Sequence, residues 1–270
     1  MKPLDSPADF HRLDSRLRLS GRLITRTALH VGAADDGGLD ISDMPVLKDG
    51  RGLPFIPGAS LKGVLRSTLE SLVRSTEGST AGVGLWACDP LTEDACGEHG
   101  PGQRSKVDVD QHCSICRLLG SHVLSSHVRI SDAMMRDDGG RSPVELRDGV
   151  AIDRDLGRVA GAKKYQFEVV APGVVFDLEV FVENPRPWLM GLLTVGWDQI
   201  AEGYSAVGGF SSRGLGRLEV HWDEGQRVTA WSLLAGEAPT RCGPGELSRE
   251  QESWRDALAS RLGGHDHVQG

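Results

Sequence analysis

The stretch Leu53-Pro54-Phe55-Ile56-Pro57-Gly58-Ala59-Ser60-Leu61-Lys62-Gly63-Val64-Leu65-Arg66 decides how the chain is read. It begins as a short extended piece and turns into a helix. Ser60 is the candidate N-cap, and Leu61, Val64, Leu65, Leu69, Leu72 and Val73 recur at the three- and four-residue spacing of a core-facing stripe. Lys62, Arg66 and Glu70 stand four apart and line one polar face. The two basic residues fall in the first turns, where a helix N-terminus attracts phosphate.

Upstream of this stretch, residues 17–27 read as a strand. Residues 32–43 form a loop dense in Gly and Asp, and 45–48 is extended before the Asp49-Gly50 turn signal. Downstream, 128–134 and 174–182 read as strands, the second alternating Val174, Phe176, Leu178, Val180 and Val182. Between them, 148–166 is polar, basic and glycine-containing, which predicts an extended hairpin or protruding loop. Residues 187–204 read as a helix with Trp188, Leu192, Val195 and Ile200 as its apolar set. A strand over 218–222 and a C-terminal helix over 246–262 complete the chain, with 263–270 expected to be disordered. Two β-rich halves with helices between them, no clean linker and no short-period repeat predict a single α+β domain over 1–270.

The bulk numbers agree with an ordinary soluble protein. The chain has 270 residues, 39% hydrophobic and 25% charged, with 35 glycines. No apolar run approaches the roughly 18 residues of a membrane span. The charged N-terminus lacks the apolar stretch of a signal peptide, so the expected location is cytoplasmic. The net charge of −8 argues against a general nucleic-acid coat. An RNA-binding protein of this balance concentrates its Lys and Arg on one face.

Two local patterns carry chemistry. Cys88, Cys96, Cys113 and Cys116 are spaced C-x7-C-x16-C-x2-C within a core-poor segment, 78–120. Four thiolates can complete a tetrahedron around Zn2+ at about 2.3 Å per bond, a closed and therefore structural site. His99 and His112 are alternative ligands. A disulfide suits a cytosolic chain poorly, and no thioredoxin-like βαβ context surrounds the C-x-x-C pair. Cys242 reads as an incidental thiol. The second pattern is Gly208-Gly209-Phe210-Ser211-Ser212-Arg213-Gly214-Leu215-Gly216-Arg217. Its glycines allow backbone N–H groups to approach an anion, and Arg213 and Arg217 add charge-assisted bonds. It lacks the G-K-[ST] of a P-loop, and it lies between a helix and a strand in the wrong order for a dinucleotide fingerprint. A tight turn with solvated arginines is the plain alternative.

Taken together, Leu29-His30-Val31-Gly32, Asp43-Met44-Pro45-Val46-Leu47-Lys48-Asp49, the stretch 53–66 and the loop 208–216 resemble the RAMP superfamily, and within it the backbone subunit of type III CRISPR effector complexes. The resemblance runs from about residue 17 to 220. It implies a ferredoxin-like, RRM-type core whose copies stack along a guide (CRISPR) RNA beside other effector-complex subunits, with no membrane partner. It implies that His30, Lys62, Arg66 and the loop glycines Gly208, Gly209, Gly214 and Gly216, with Arg213, contact guide RNA. Residues 148–173 would be a thumb hairpin wedging between guide and target RNA, with Lys163, Lys164 and Tyr165 in it. The family's target-cleaving Asp maps to Asp43, in a reaction needing Mg2+ or Mn2+. One carboxylate can take the 2′-hydroxyl proton or hold a cation at the scissile phosphate, help worth roughly 10²- to 10⁴-fold. Without the resemblance, Asp43 reads as a loop Asp capping its own backbone, and Asp35, Asp36 and Asp40 crowd the same loop. The acidity of that loop and the length of the cysteine segment depart from the pattern. A non-catalytic guide-binding scaffold, a zinc-stabilised interaction protein without RNA and a guide-processing nuclease stand as alternatives.

Overall fold

Alternation builds the centre of the molecule. In the computed structural model, the strand Ser15–Thr25 buries Leu17, Leu19 and Leu23 on one face and turns Arg16, Arg18 and Arg22 to the other. The structure describes residues 10–33, 42–76, 84–92, 95–97, 109, 112–137, 139, 143–152, 155 and 159–262, without the side chains of 151, 152 and 159–163. Asp35, Asp36, Asp40, His99, the Lys163 side chain and the tail 263–270 therefore lie outside the described residues.

Among the described residues the elements run β1 (Ser15–Thr25), β2 (Phe55–Ile56), α1 (Gly58–Arg74), α2 (Ser114–Leu119), β3 (Val128–Ile130), β4 (Ala133–Met134), β5 (Val144–Ile152), β6 (Val159–Val170), β7 (Val175–Glu183), α3 (Pro187–Ala201), β8 (Leu218–Thr229), α4 (Ala230–Leu234), β9 (Thr240–Cys242) and α5 (Pro244–Leu262). The main sheet has the order β3-β7-β1-β8-β9 and is antiparallel throughout. Its register stacks apolar partners across the core face, with Leu17 opposite Val182, Leu19 opposite Val180 and Leu23 opposite both Phe176 and Val220. The opposite face is laced by ion pairs, Arg16–Glu183 at 2.6 Å, Arg22–Asp223 at 2.9 Å and Arg18–Glu179.

Helix α1 lays Leu61, Leu65, Leu69 and Val73 into the core. Leu72, expected there, falls in the last turn and is 40% exposed. The expected Ser60 cap is not used. Pro57 occupies the N-cap, and the Gly58 N–H donates to Asp132 Oδ1 at 2.9 Å. Asp132 sits in the break that divides the expected strand 128–134 into β3 and β4. A Cβ on Gly58 would stand 2.1 Å from the Ile130 carbonyl, so the helix start is pressed against this corner and takes its cap from it.

Helix α3 starts on a proline, as the sequence predicts, and is buried nearly all round between the sheet and α5. Two glycines permit the crossings. A Cβ on Gly191 would meet the Trp254 carbonyl of α5 at 2.3 Å, and one on Gly196 would meet Leu65 of α1 at 2.9 Å. Asp198 and Arg255 close the α3–α5 contact with bonds of 2.7 to 3.1 Å.

The described residues of 148–166 lie in two antiparallel strands, β5 and β6, paired from Val144↔Val170 onward. Their base joins the body by bridges Leu29↔Val170 and Met44↔Phe167. There Ala28, Phe167, Val169 and Leu215, with Tyr165 and Phe210 against them, form a small core separate from the main one. The whole is a mixed α/β fold with antiparallel sheets.

Candidate nucleic-acid interface and metal centre

One edge of β6 gathers three features that are distant in sequence. The Gln166 N–H donates to Asp43 Oδ2 at 2.8 Å. Two residues on, the Glu168 N–H donates to the Met44 carbonyl at 3.0 Å, and the Glu168 carbonyl accepts from His30 Nδ1 at 2.8 Å. Strand rise is about 3.3 Å per residue, so the anchors of Asp43 and His30 lie roughly 7 Å apart along β6. Asp43 is exposed, and among the described residues its partner, the Gln166 N–H, is more than a hundred residues away. A carbonyl only accepts, so Nδ1 of His30 carries the proton.

His30 is buried, and it props the glycine loop. Its carbonyl accepts the Gly209 N–H at 2.7 Å. A Cβ on Gly208 would reach 2.3 Å from that carbonyl, and Gly208 has φ +86°. Only glycine meets both demands without strain. Gly214 and Gly216 also have positive φ, and a Cβ on Gly216 would stand 2.2 Å from the Val207 carbonyl. Phe210 takes φ +60°, unusual for a bulky residue, and stacks at 5.0 Å on the His30 ring and at 4.8 Å on Phe167. Arg213 lies over Phe210 at 5.0 Å and donates to the Tyr165 hydroxyl at 2.5 Å. The loop is thus a rigid turn held between His30 and the hairpin base, with an exposed guanidinium at its rim. Lys164, on the hairpin's polar face, pairs with Asp148 at 3.0 Å, and its side chain is exposed.

The four clustered cysteines meet. All are buried and free, and their Sγ atoms lie within 4.8 Å of one another. Sγ separations of 3.7 Å for both Cys88–Cys116 and Cys88–Cys113 match the edge of a tetrahedron with bonds of about 2.3 Å, roughly 3.8 Å. The Cys113 N–H points at Cys96 Sγ at 3.2 Å and the Cys116 N–H at Cys113 Sγ at 3.3 Å. Thiol bonds from Cys116 and Cys96 lower the Cys113 pKa, and the same contacts with Cys113 raise those of Cys96 and Cys116. The cluster could hold a metal ion. His112 lies outside it, its Nε2 at 3.2 Å from Ser121 Oγ, and Cys242 is elsewhere, against the Gly225 carbonyl.

The polar stripe of α1 packs against the end of the cysteine segment and the residues that follow it. Lys62 Nζ donates to Ser126 Oγ at 2.9 Å and to the Val128 carbonyl at 3.1 Å. Arg66 Nη2 donates to the Gly120 carbonyl at 2.6 Å, and Arg74 bonds the Cys88 carbonyl. Burial, reinforced by Arg66, lowers the Lys62 pKa. Lys62 and Arg66 also wall an open cleft of about 550 Å³, whose other lining includes Cys116, Gly120, His122 and Ser126. The basic residues therefore form two groups, one at this cleft and one at the glycine loop.

Glu168 is the functional candidate that sequence reasoning missed. Its carboxylate accepts the Val46 N–H at 3.0 Å and pairs with Lys48 Nζ at 2.8 Å, fastening to β6 the segment that follows Asp43. A lone Glu in a predicted hairpin gives no signal of such a task. Tyr165 lay within the region noted for the hairpin, but nothing in the sequence paired it with Arg213.

No helix among the described residues is long and apolar enough to cross a membrane. Three relatives named "CRISPR system Cms endoribonuclease Csm3" are similar to this chain. The protein from Methanothermobacter thermautotrophicus is 27% identical over 241 residues, covering 77% of this chain and 84% of the relative. That from Methanocaldococcus jannaschii is 25% identical over 230 residues, covering 77% and 79%. That from Enterococcus italicus is 27% identical over 217 residues, covering 76% and 89%. The family model described as the RAMP superfamily matches residues 22–219, a span reaching from β1 into β8. The chain belongs to the RAMP superfamily.

Proposed function

We propose that this chain is a repeated backbone subunit of an RNA-guided type III CRISPR effector complex, gripping guide RNA and cutting complementary target RNA. The observation that carries the reading is the convergence of Asp43, His30 and the loop 208–216 on one edge of β6. The order β8-β1-β7-β3, with α1 and α3 on the connections, supports a ferredoxin-like core. In this reading residues 1–270 are one RAMP domain, 78–120 a zinc-binding insertion, 148–173 the thumb and 246–262 a C-terminal helix. The working complex, cytoplasmic, contains guide RNA, target RNA, further copies of the chain and other effector subunits.

Each group then has a task. Arg213 and the loop N–H groups that the fold does not already use hold guide phosphates, and His30 contributes by fixing that loop. Lys62, Arg66, Lys163 and Lys164 add positive charge along the RNA path. Asp43, exposed and oriented by the Gln166 amide, takes the 2′-hydroxyl proton of the target or holds Mg2+ or Mn2+ at the scissile phosphate. Zn2+ on Cys88, Cys96, Cys113 and Cys116 stabilises a segment that has little core of its own.

A non-catalytic scaffold is the second reading. Asp43 is bonded to a backbone amide and the His30 ring to a backbone carbonyl, so neither is joined to a second acid–base side chain by these bonds. The complex, purified with its neighbouring subunits, should cut guide-complementary RNA in Mg2+ or Mn2+ and stop in chelator. Asp43→Ala should lower cutting at least 10²-fold and leave guide RNA bound. Undiminished cutting by Asp43→Ala would remove Asp43 as the catalyst, and a wild-type complex that never cuts would favour the scaffold.

A further inference from the structure

We propose that Arg66 secures the cysteine metal centre, offsetting part of the charge of its thiolates and pinning the helix that carries two of its ligands. This rests on the reading that the four cysteines hold a divalent metal ion. Four thiolates around one divalent ion carry a net charge of −2, and a buried charge of that size is stabilised by N–H donors and by a nearby cation. Arg66 supplies one. Its Nη1 lies 3.9 Å from Cys116 Sγ, beside a cluster whose sulfurs all lie within 4.8 Å of one another.

The second arm of the same guanidinium reaches the carbonyl of Gly120 at 2.6 Å. Gly120 is the C-cap residue of α2, Cys113 is its N-cap and Cys116 lies within it. Arg66 therefore touches a ligand sulfur and the carbonyl end of the short helix that aims two ligands. A cation there also complements the helix dipole. The fork geometry of guanidinium suits this double contact, which a lysine ammonium at the same position reproduces only in part.

Glu70 extends the arrangement. It is buried at 6% exposure and lies 3.4 Å from both Arg66 and Arg74. Arg74 in turn bonds the carbonyl of Cys88, the ligand from the other end of the cluster. The row Arg66–Glu70–Arg74 on α1 thus braces both arms of a ligand set separated by 28 residues. A solvated polar stripe would leave Glu70 exposed and the two arginines unconstrained. Here the stripe is the seat of the metal segment, and Arg66 is a positioning residue for the metal as well as a wall of the cleft beside it.

The test uses the full chain loaded with zinc and measures metal release to an excess of a chromogenic chelator. It compares wild type, Arg66→Met and Arg66→Lys, with Arg213→Met as a distant control. Partners of metal ligands typically change metal affinity 10- to 100-fold. Arg66→Met should release zinc at least 10-fold faster, Arg66→Lys should fall between it and wild type, and Arg213→Met should match wild type. Release from Arg66→Met within twofold of wild type overturns the role of Arg66 and leaves the metal site standing. A wild-type protein that neither retains nor takes up zinc overturns the metal reading itself. Should Arg66→Met fail to fold, Arg66→Lys decides: it keeps the charge and loses the fork, and release indistinguishable from wild type counts against the proposal.

Discussion

A carboxylate on a loop is a poor catalyst unless something fixes the loop, and at the residue scale that task falls to Glu168. Its backbone accepts from the His30 ring and donates to Met44, and its side chain ties down Val46 and Lys48. One residue therefore ties the segment after Asp43 and the His30 that props the glycine loop to the same edge of the strand. Replacing it with Gln keeps the size and removes the charge that Lys48 needs. Hydrogen bonds to charged groups contribute about 1.5–3 kcal/mol, and a small displacement of a reacting group costs as much as 10²-fold in rate. Glu168→Gln should slow single-turnover target cutting by about 10- to 100-fold and leave guide-RNA affinity within about twofold. Lys48→Met should act in the same direction, and the double variant should be no worse than the poorer single one. Additive losses would show that the two side chains act separately.

At the element scale, glycines with the same local propensity have opposite consequences. Gly63 in α1 has open space around its missing Cβ, whereas Gly191 in α3 faces the Trp254 carbonyl at 2.3 Å. Ala exceeds Gly in helix propensity by about 1 kcal/mol. Gly63→Ala should therefore raise the urea midpoint. Gly191→Ala should lower it despite the same propensity gain, because α5 must move away. Equal shifts of one sign would mean that the α3–α5 crossing is looser than its geometry. The contrast shows what was legible beforehand. The α1 stripe, the alternation of β7, the proline start of α3 and the hairpin were readable because periodicity and punctuation are local. Asp132 as the helix cap was not readable, because the donor and acceptor are 74 residues apart and Ser60 offered a plausible local alternative. The second half of β8, β9 and α4 escaped because β8 and β9 carry almost no apolar residues there and the apolar ones of α4 are exposed, so the sequence shows no apolar alternation. For the site, the glycine loop, His30 and the four cysteines were legible as types. That Lys62 and Arg66 pack against the end of the cysteine segment and the residues that follow it was not, since spacing gives a face without its neighbour. If that segment is seated by its metal, stripping zinc with chelator should lower the thermal midpoint and restoring zinc should recover it. A midpoint indifferent to chelator would leave the segment held by packing alone.

At the scale of the whole molecule, the problem is how a chain of net charge −8 holds a polyanion. The open face of the sheet does not solve it. The arginines of β1, Arg16, Arg18 and Arg22, are matched to Glu183, Glu179 and Asp223, and Arg129 of β3 lies over the Phe181 ring at 4.5 Å, so most of the positive charge on that face is already paired. Arg66 and Arg74 share the buried Glu70, and Lys164 is paired with Asp148. Arg213 stands at the glycine loop itself; its described partners, the Tyr165 hydroxyl and the Phe210 ring, are both uncharged, and the side chain is exposed. A guanidinium has five N–H donors, so this one can meet a phosphate without breaking an ion pair. The electrostatic grip on RNA should accordingly be centred on the glycine loop, with the already paired Arg66 and Lys164 adding less per residue. Contacts to single strands weaken with a log–log salt slope of about −0.7 per phosphate. Titrating guide RNA across a range of salt concentrations should give a slope near the sum of a few such contacts, well short of that of a basic coat protein. Arg213→Gln should flatten it by roughly 0.7, whereas Arg18→Gln, on the paired sheet face, should leave it unchanged. If Arg18→Gln flattens the slope and Arg213→Gln does not, the RNA path crosses the sheet, and the loop is only a turn.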